Sequence, residues 1–412
     1  MDYLKSATPL SARGAFIVLS VLMFFFSAQV SLTIYIDSSY LMESIGKSAS
    51  FAKMQLWDEP EHVVGTLYTF ASLITLLGLS FAPKILRKYG NYRWTLSILI
   101  LHVLLLLGLA LFDTAWLIIP VFIIETAVVS ILYFNFDVFL ERYSKNENTG
   151  TIRGLFLVIG SIAWLLPPFF AGKIIEQFGG FSQVYLLGAF IMLPTLFFVV
   201  RYLHHFTDLS YDDTPFFFTK LESVRHPNVG RILNANFFLH FFYAWMIIYA
   251  PLYFHNNLGF SYEEFGMILS FALAAFVIFP YPAGWLADKL IGEKELLIGG
   301  FLLMGVTSAL IPLLASFEVT LVVWAALLFV GRAGASTVEA MSETYFFKQI
   351  DGQNAGLMGY FRRSRPLAFI VAPIAASVML EFSIVKIEGL FYVLSVVMVF
   401  ASMYMFRLVD TK

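Results

Sequence analysis

Twelve apolar runs, each long enough to cross a lipid bilayer, constrain this 412-residue chain more than any other feature. A hydrocarbon core about 30 Å thick needs roughly 20 residues of helix. Segments 14–37, 64–84, 94–112, 115–139, 153–174, 181–202, 231–254, 263–287, 295–315, 319–342, 357–380 and 385–407 meet that length. Gly, Pro and charge clusters separate them, as at Lys88-Tyr-Gly-Asn and Phe178-Gly-Gly. Lipid offers no hydrogen-bond partner to open backbone, so the runs must be helices. A β-barrel would show alternating segments of about ten residues, and these segments do not alternate. Composition agrees: 59% of residues are hydrophobic and 13% charged, against about 45–50% and about 25% in a soluble domain. The expected fold class is an all-α membrane protein with 12 transmembrane helices.

Lys and Arg set the orientation. Of 26 such residues, Lys47, Lys53, Lys173 and Lys386 fall in one set of loops and Arg332 falls within the tenth run. The other 21 fall in the opposite set or at the adjoining helix ends, which puts both termini in the cytoplasm. Lys5 and Arg13 before an apolar stretch imitate a signal peptide, but the stretch continues to Ile36, too long for a secretory h-region. It reads as an uncleaved first span.

The chain also repeats itself at half its length. Asp137 and Glu343 stand 206 positions apart, and the same offset relates Asn148 to Asn354, Gly150 to Gly356 and Pro167 to Pro373. The expected organisation is an N-terminal six-helix bundle, 1–203, a cytoplasmic linker, 204–230, and a C-terminal six-helix bundle, 231–412. The linker carries Asp212-Asp213 and an amphipathic stretch, 216–224, expected to lie on the membrane surface. The outside loop 44–62 is the main departure from symmetry.

Twelve spans, a six-plus-six duplication and a central cytoplasmic linker resemble the major facilitator superfamily over the whole chain. That family's loop motif, Gly-x-x-x-Asp-(Arg/Lys)-x-Gly, is approached by Gly284-Trp-Leu-Ala-Asp288-Lys289-Leu-Ile-Gly292 with one extra residue. Its first-half counterpart keeps Gly90, Arg87 and Arg93 without the Asp. The resemblance implies that Asp288 staples neighbouring helices at the cytoplasmic face. The fifth run is similar to the family's antiporter motif at Gly154, Ala163, Pro167, Pro168, Ala171 and Gly172. The Arg-x-x-x-Gly motif of proton-linked members is absent; Glu125 and Thr126 stand there instead. The resemblance further implies that the first, fourth, seventh and tenth spans line a central cavity.

Charges inside apolar helices demand a reason, since each costs about 2.5–3.5 kcal/mol at mid-bilayer by insertion scales. Glu125 and Arg332 lie at matched depths, one position apart once the offset is removed. Either Glu125 exchanges a proton while Arg332 clamps an anionic group, or the two form a fixed ion pair between the halves. Asp37, in Tyr35-Ile-Asp37, is either a ligand at the cavity mouth or a helix end meeting water. Glu339 lies two turns below Arg332 on the same face. With Tyr35, Trp245 and Asn236 these complete the candidate substrate or coupling-ion site. Asp137, Glu141, Arg153, Glu343, Arg362, Arg363 and Asp288 are the candidate inner gate, acids near one helix end facing Arg near the start of the next. Arg365 extends that cluster, which is either ordinary positive-inside charge or a funnel for an anion. His102 and His240 read as satisfying neighbours.

With no Cys there is no disulfide framework and no thiolate metal site. No phosphate-binding loop and no His-Glu-x-x-His occurs, so neither an enzyme nor a cofactor or metal site is expected. A net charge of −2 argues neither for nor against nucleic acid, and none is expected as a partner. The expectation is a monomeric secondary active transporter in a bacterial-type inner membrane. By alternating access it moves a small polar or anionic solute with protons or another ion. A proton-linked exporter of amphipathic drugs or lipids is the alternative, and a non-transporting scaffold or sensor is the alternative from another class.

Overall fold

The structure, a computed structural model, describes residues 12–48, 60–143, 156, 158–204, 206, 227–349 and 355–409. Twelve helices among them are long and apolar enough to cross a membrane. They are Gly14–Thr33, Glu61–Tyr89, Asn91–Leu111, Ala115–Leu140, Val158–Phe178, Ser182–Tyr202, Pro227–Asn257, Tyr262–Ile291, Glu293–Leu314, Leu321–Phe346, Arg363–Glu381 and Ile387–Met405, spans 1 to 12 below. Among the described residues the seventh is helical from Pro227, earlier than the expected 231. The amphipathic stretch 216–224 lies outside the described residues, as does most of the loop 44–62.

Packing repeats between the halves. Span 3 packs on spans 4 and 6 as span 9 packs on spans 10 and 12, and spans 1 and 6 pair as 7 and 12 do. Between the halves, span 2 lies along span 11 and span 5 along span 8.

Two spans are broken where the sequence suggested continuity. Span 1 loosens at 34–36, held by Ile36 N–H to the Thr33 carbonyl at 2.9 Å, and restarts as a short helix, Asp37–Gly46. Span 5 breaks at 164–166 before the helix Pro167–Phe178. Pro168 has no N–H to give the Trp164 carbonyl one turn back. The Ser31 hydroxyl of span 1 donates to that carbonyl instead, at 2.9 Å. The neighbouring Phe169 N–H donates to Ser270 Oγ of span 8 at 3.1 Å. Lipid would have left both groups unpaired.

Beyond those breaks, toward the C-terminal ends of spans 5 and 11 and the N-terminal ends of spans 2 and 8, the halves are tied together. Tyr262 N–H donates to Glu176 at 2.9 Å, Ser377 Oγ donates to the His62 carbonyl at 3.0 Å, and His62 Nδ1 faces Glu381 at 3.0 Å. Spans 5 and 8 approach so closely there that a Cβ on Gly172 would overlap the Tyr262 carbonyl, and one on Gly266 the Pro168 carbonyl. Gly172 of the fifth-span motif is thus explained by backbone-to-backbone packing.

The chain has no native cysteine, so an introduced one reports alone. Ser270→Cys is expected to be protected from a membrane-impermeant maleimide. Adding Gly172→Leu should speed labelling by about tenfold or more, because overpacking costs about 1–3 kcal/mol. Equal labelling rates would show that the glycine contact does not close this end.

Candidate functional site

The broken first span carries the first site residues. Tyr35 lies in the loosened turn, buried, with its ring edge-on to Trp164 at 6.3 Å between centroids. Asp37 opens the short helix and is buried, accepting a 2.7 Å hydrogen bond from the Tyr185 hydroxyl of span 6. It does not meet water at a helix end.

Arg332, midway along span 10, is only 3% exposed. Its guanidinium lies over two rings, Phe242 of span 7 at 5.7 Å and Tyr35 at 6.0 Å, and its Nη2 is buried with no hydrogen-bond partner. Arg365, near the start of span 11, lies over Phe369 at 5.8 Å and over Tyr133 of span 4 at 5.9 Å. Both arginines belong to the second half, and each reaches a tyrosine of the first. Glu339, two turns below Arg332, accepts a 2.8 Å hydrogen bond from the Tyr243 hydroxyl and lies in the field of Arg365. Cation–π contact is worth about 2 kcal/mol or more when desolvated, which holds a guanidinium without neutralising it.

Of the two readings of these charges, the fixed ion pair between Glu125 and Arg332 is not found. Glu125 is buried in the first half, where its Oε1 faces His102 Nδ1 of span 3 at 3.6 Å. His102 Nε2 in turn meets Gln29 Oε1 of span 1 at 2.7 Å. The reason is rotational. Adding the repeat offset to Glu125 gives Gly331, and subtracting it from Arg332 gives Thr126. One residue along a helix turns a side chain by about 100°. Gly331 packs toward span 9, where a Cβ on it would lie 2.7 Å from Thr307 Oγ1. Glu125 makes the equivalent approach to span 3, while Arg332 points between the halves.

Two further site candidates lie on span 7. Asn236 Nδ2 donates to the Phe361 carbonyl of the helix Ala355–Glu381 at 3.0 Å. Trp245 is fully buried in a ladder of rings with Phe241 at 4.9 Å and Tyr249 at 6.0 Å. Of the inner-gate candidates, Asp137, Glu343 and Arg363 are half-buried near their helix ends. Arg153 and the side chains of Glu141 and Arg362 lie outside the described residues. Asp288 binds Lys348 of the tenth helix at 3.2 Å, and the same ammonium reaches Glu293 at 2.6 Å. The hydrogen bonds that the Lys348 ammonium donates, first to Glu293 and then to Asp288, hold it above its usual pKa. The clasp is therefore fully formed below the ordinary lysine value and is lost only as pH rises through the raised one.

Sequence reasoning left Arg365 among the inner charges and missed Tyr133, Tyr185 and Gln29. One signal was present: unlike Arg362 and Arg363, Arg365 is followed directly by the apolar body of its span. Among the described residues, no group of His, Asp or Glu forms that could hold a metal ion.

Residues 232–412 match the family model of the Major Facilitator Superfamily. The chain resembles the crystal structure of an auto-inhibited peptide transporter of the POT family, with a TM-score of 0.74 at 10% identity over 96% of this chain and 98% of that one. It resembles a mutant of the nucleoside transporter NupG with a TM-score of 0.72 at 13% identity, over 95% of this chain and 100% of that one. No curated protein matches the sequence.

The clasp at Lys348 supplies a graded test. Glu293 is 1% exposed and Asp288 62% exposed at the side chain, so solvent screens the second bond far more than the first. Glu293→Gln is expected to lower the melting temperature by about 2–4 °C, and Asp288→Asn by less. The reverse order in a thermal melt would place the stabilising contact at Asp288.

Proposed function

We propose that this chain is a secondary transporter of the Major Facilitator Superfamily for a small organic anion, bound between its two halves by Arg332 and Arg365. The observation that carries the reading is the Arg332 guanidinium, buried, over aromatic faces and with an unpartnered Nη2. Among the described residues no carboxylate lies in salt-bridge range of it. A structural charge at such depth would be expected to have a counter-ion, because an unpaired one costs several kcal/mol. An anionic solute is the missing partner. Tyr35, Tyr133, Phe242 and Phe369 offer faces for its apolar part, and Glu339 sets a polar limit on the side of Arg365.

Transport follows from where the halves touch. The tight contacts between spans 5 and 8 and between spans 2 and 11 lie at the end that the charge bias assigns to the outside. In this reading the outer end is shut, the site faces the cytoplasm, and rocking of the bundles exposes it alternately. The termini lie in the cytoplasm of a bacterial-type inner membrane. Protons drive the cycle through Glu125, which lies apart from the anion site. The exporter reading loses its main support, since Gly172 and Pro168 are accounted for by packing. A scaffold would have no use for a buried cation without a partner.

A thermal-shift screen of organic anions and their neutral amides, followed by uptake in proteoliposomes, tests this. An anion is expected to stabilise the protein where its amide does not, and Arg332→Lys should weaken its binding by about tenfold or more, about 1.4 kcal/mol. Binding of a neutral solute that Arg332→Ala leaves unchanged would overturn the reading. Glu125→Gln should abolish gradient-driven uptake and leave counterflow exchange intact; undiminished active uptake would remove Glu125 from the coupling step.

A further inference from the structure

We infer that Glu125, His102 and Gln29 form one proton-binding unit inside the first half, in which His102 shares a proton with Glu125 and the Gln29 amide turns over as the unit loads and unloads. His102 is fully buried, its Nδ1 has no hydrogen-bond partner, and that nitrogen faces Glu125 Oε1 across 3.6 Å. This is slightly too long for a hydrogen bond, within reach of a small side-chain movement. On the other side Nε2 meets Gln29 Oε1 at 2.7 Å, while the Gln29 amide nitrogen is buried without a partner.

The proton count follows from these contacts. An amide oxygen only accepts, so Nε2 carries a hydrogen in this arrangement; in the loaded state of the unit Nδ1 then either accepts one from Glu125 or carries a second. In both cases a single proton lies between Nδ1 and Oε1, and the unit is neutral overall. Removing one proton leaves Nδ1–H donating to an ionised Glu125, with Nε2 bare. The Gln29 amide then turns over, its N–H donates to Nε2, and its carbonyl gives up the contact. Loading reverses this: the incoming proton ends on Nε2, the amide oxygen accepts it, and the shared proton shifts toward Oε1. Neither state leaves an imidazole nitrogen unpaired in the apolar interior, where an unmade hydrogen bond costs about 1–3 kcal/mol.

The surroundings contain acids and phenols, and among the described residues no cation acts on them. Asp37 of the short helix, Tyr68 of span 2 and Tyr185 of span 6 lie in the electrostatic range of Glu125, and His102 faces it from span 3. Tyr68 also lies in range of Asp37, and its hydroxyl is buried without a partner. Asp37 and Tyr68 therefore mark a polar route from the end of span 1 to the unit. Neither arginine of the anion site belongs to it.

This deepens the coupling part of the function proposed above and rests on it for its use, but its test needs protons alone, so the two fail separately. Purified protein in liposomes is titrated with acid and base while infrared difference spectra follow the carbonyl band of a protonated carboxyl. Wild type should show a band that Glu125→Gln removes. His102→Phe keeps an aromatic ring against Phe26, which the imidazole meets edge-on at 5.9 Å, and should move the band's midpoint by about one pH unit or more, a tenfold change in proton affinity. Gln29→Leu, which cannot turn over, should also move it and serves where His102→Phe does not fold. A midpoint unchanged in the folded variants, or a wild-type spectrum without the Glu125 band, would overturn the inference.

Discussion

Hydrocarbon accepts no hydrogen bonds, so every backbone group in a span must find its partner within the protein. Most do so inside a helix, and the places where this chain leaves helical geometry are where neighbouring helices are obliged to intervene. Pro168 takes a donor away from the Trp164 carbonyl, and Ser31 supplies another. The same break frees Phe169 N–H, which reaches across to Ser270 in the other half. Breaking a helix in lipid thus creates a specific interhelical bond, and here those bonds draw spans 1, 5 and 8 together beside Tyr35 and Asp37.

The two halves share an architecture and divide its charges. Acids and an imidazole lie inside the first, in Asp37, Glu125 and His102; guanidinium groups project from the second, at Arg332 and Arg365. A cation over tyrosine faces is attracted without being neutralised, so the arginines keep their charge while contacting both halves. Had Arg332 met Glu125 directly, each would have satisfied the other and neither would have been left for chemistry. The two charges instead lie in different surroundings, Glu125 beside His102 and Arg332 over aromatic rings.

Much of the architecture could be read from the chain. Twelve apolar runs, their punctuation and the half-length repeat were enough for the helical fold and its twofold resemblance. The breaks in spans 1 and 5 were less legible: Pro167-Pro168 announced one, while nothing in Ile34-Tyr35-Ile36 distinguishes a loosened turn from helix. Asn236 and Trp245 looked like site residues because polar and aromatic groups in a span suggest a lining. In the structure Asn236 bonds the Phe361 carbonyl, and Trp245 lies among Phe241 and Tyr249 with its indole N–H buried and without a partner.

Hydropathy along a chain measures depth, and depth was what the sequence by itself determined: it placed Glu125 and Arg332 near mid-membrane and marked both as needing a partner. Direction around the helix axis is set by which neighbours pack on which face, and only the tertiary structure decided it. A single-position offset in the repeat, Glu125 against Gly331 and Thr126 against Arg332, corresponds to a turn of about 100°. That turn sends one charge toward span 3 and the other between the halves, because a helix fixes the angle between successive side chains while its neighbours fix where the first one points.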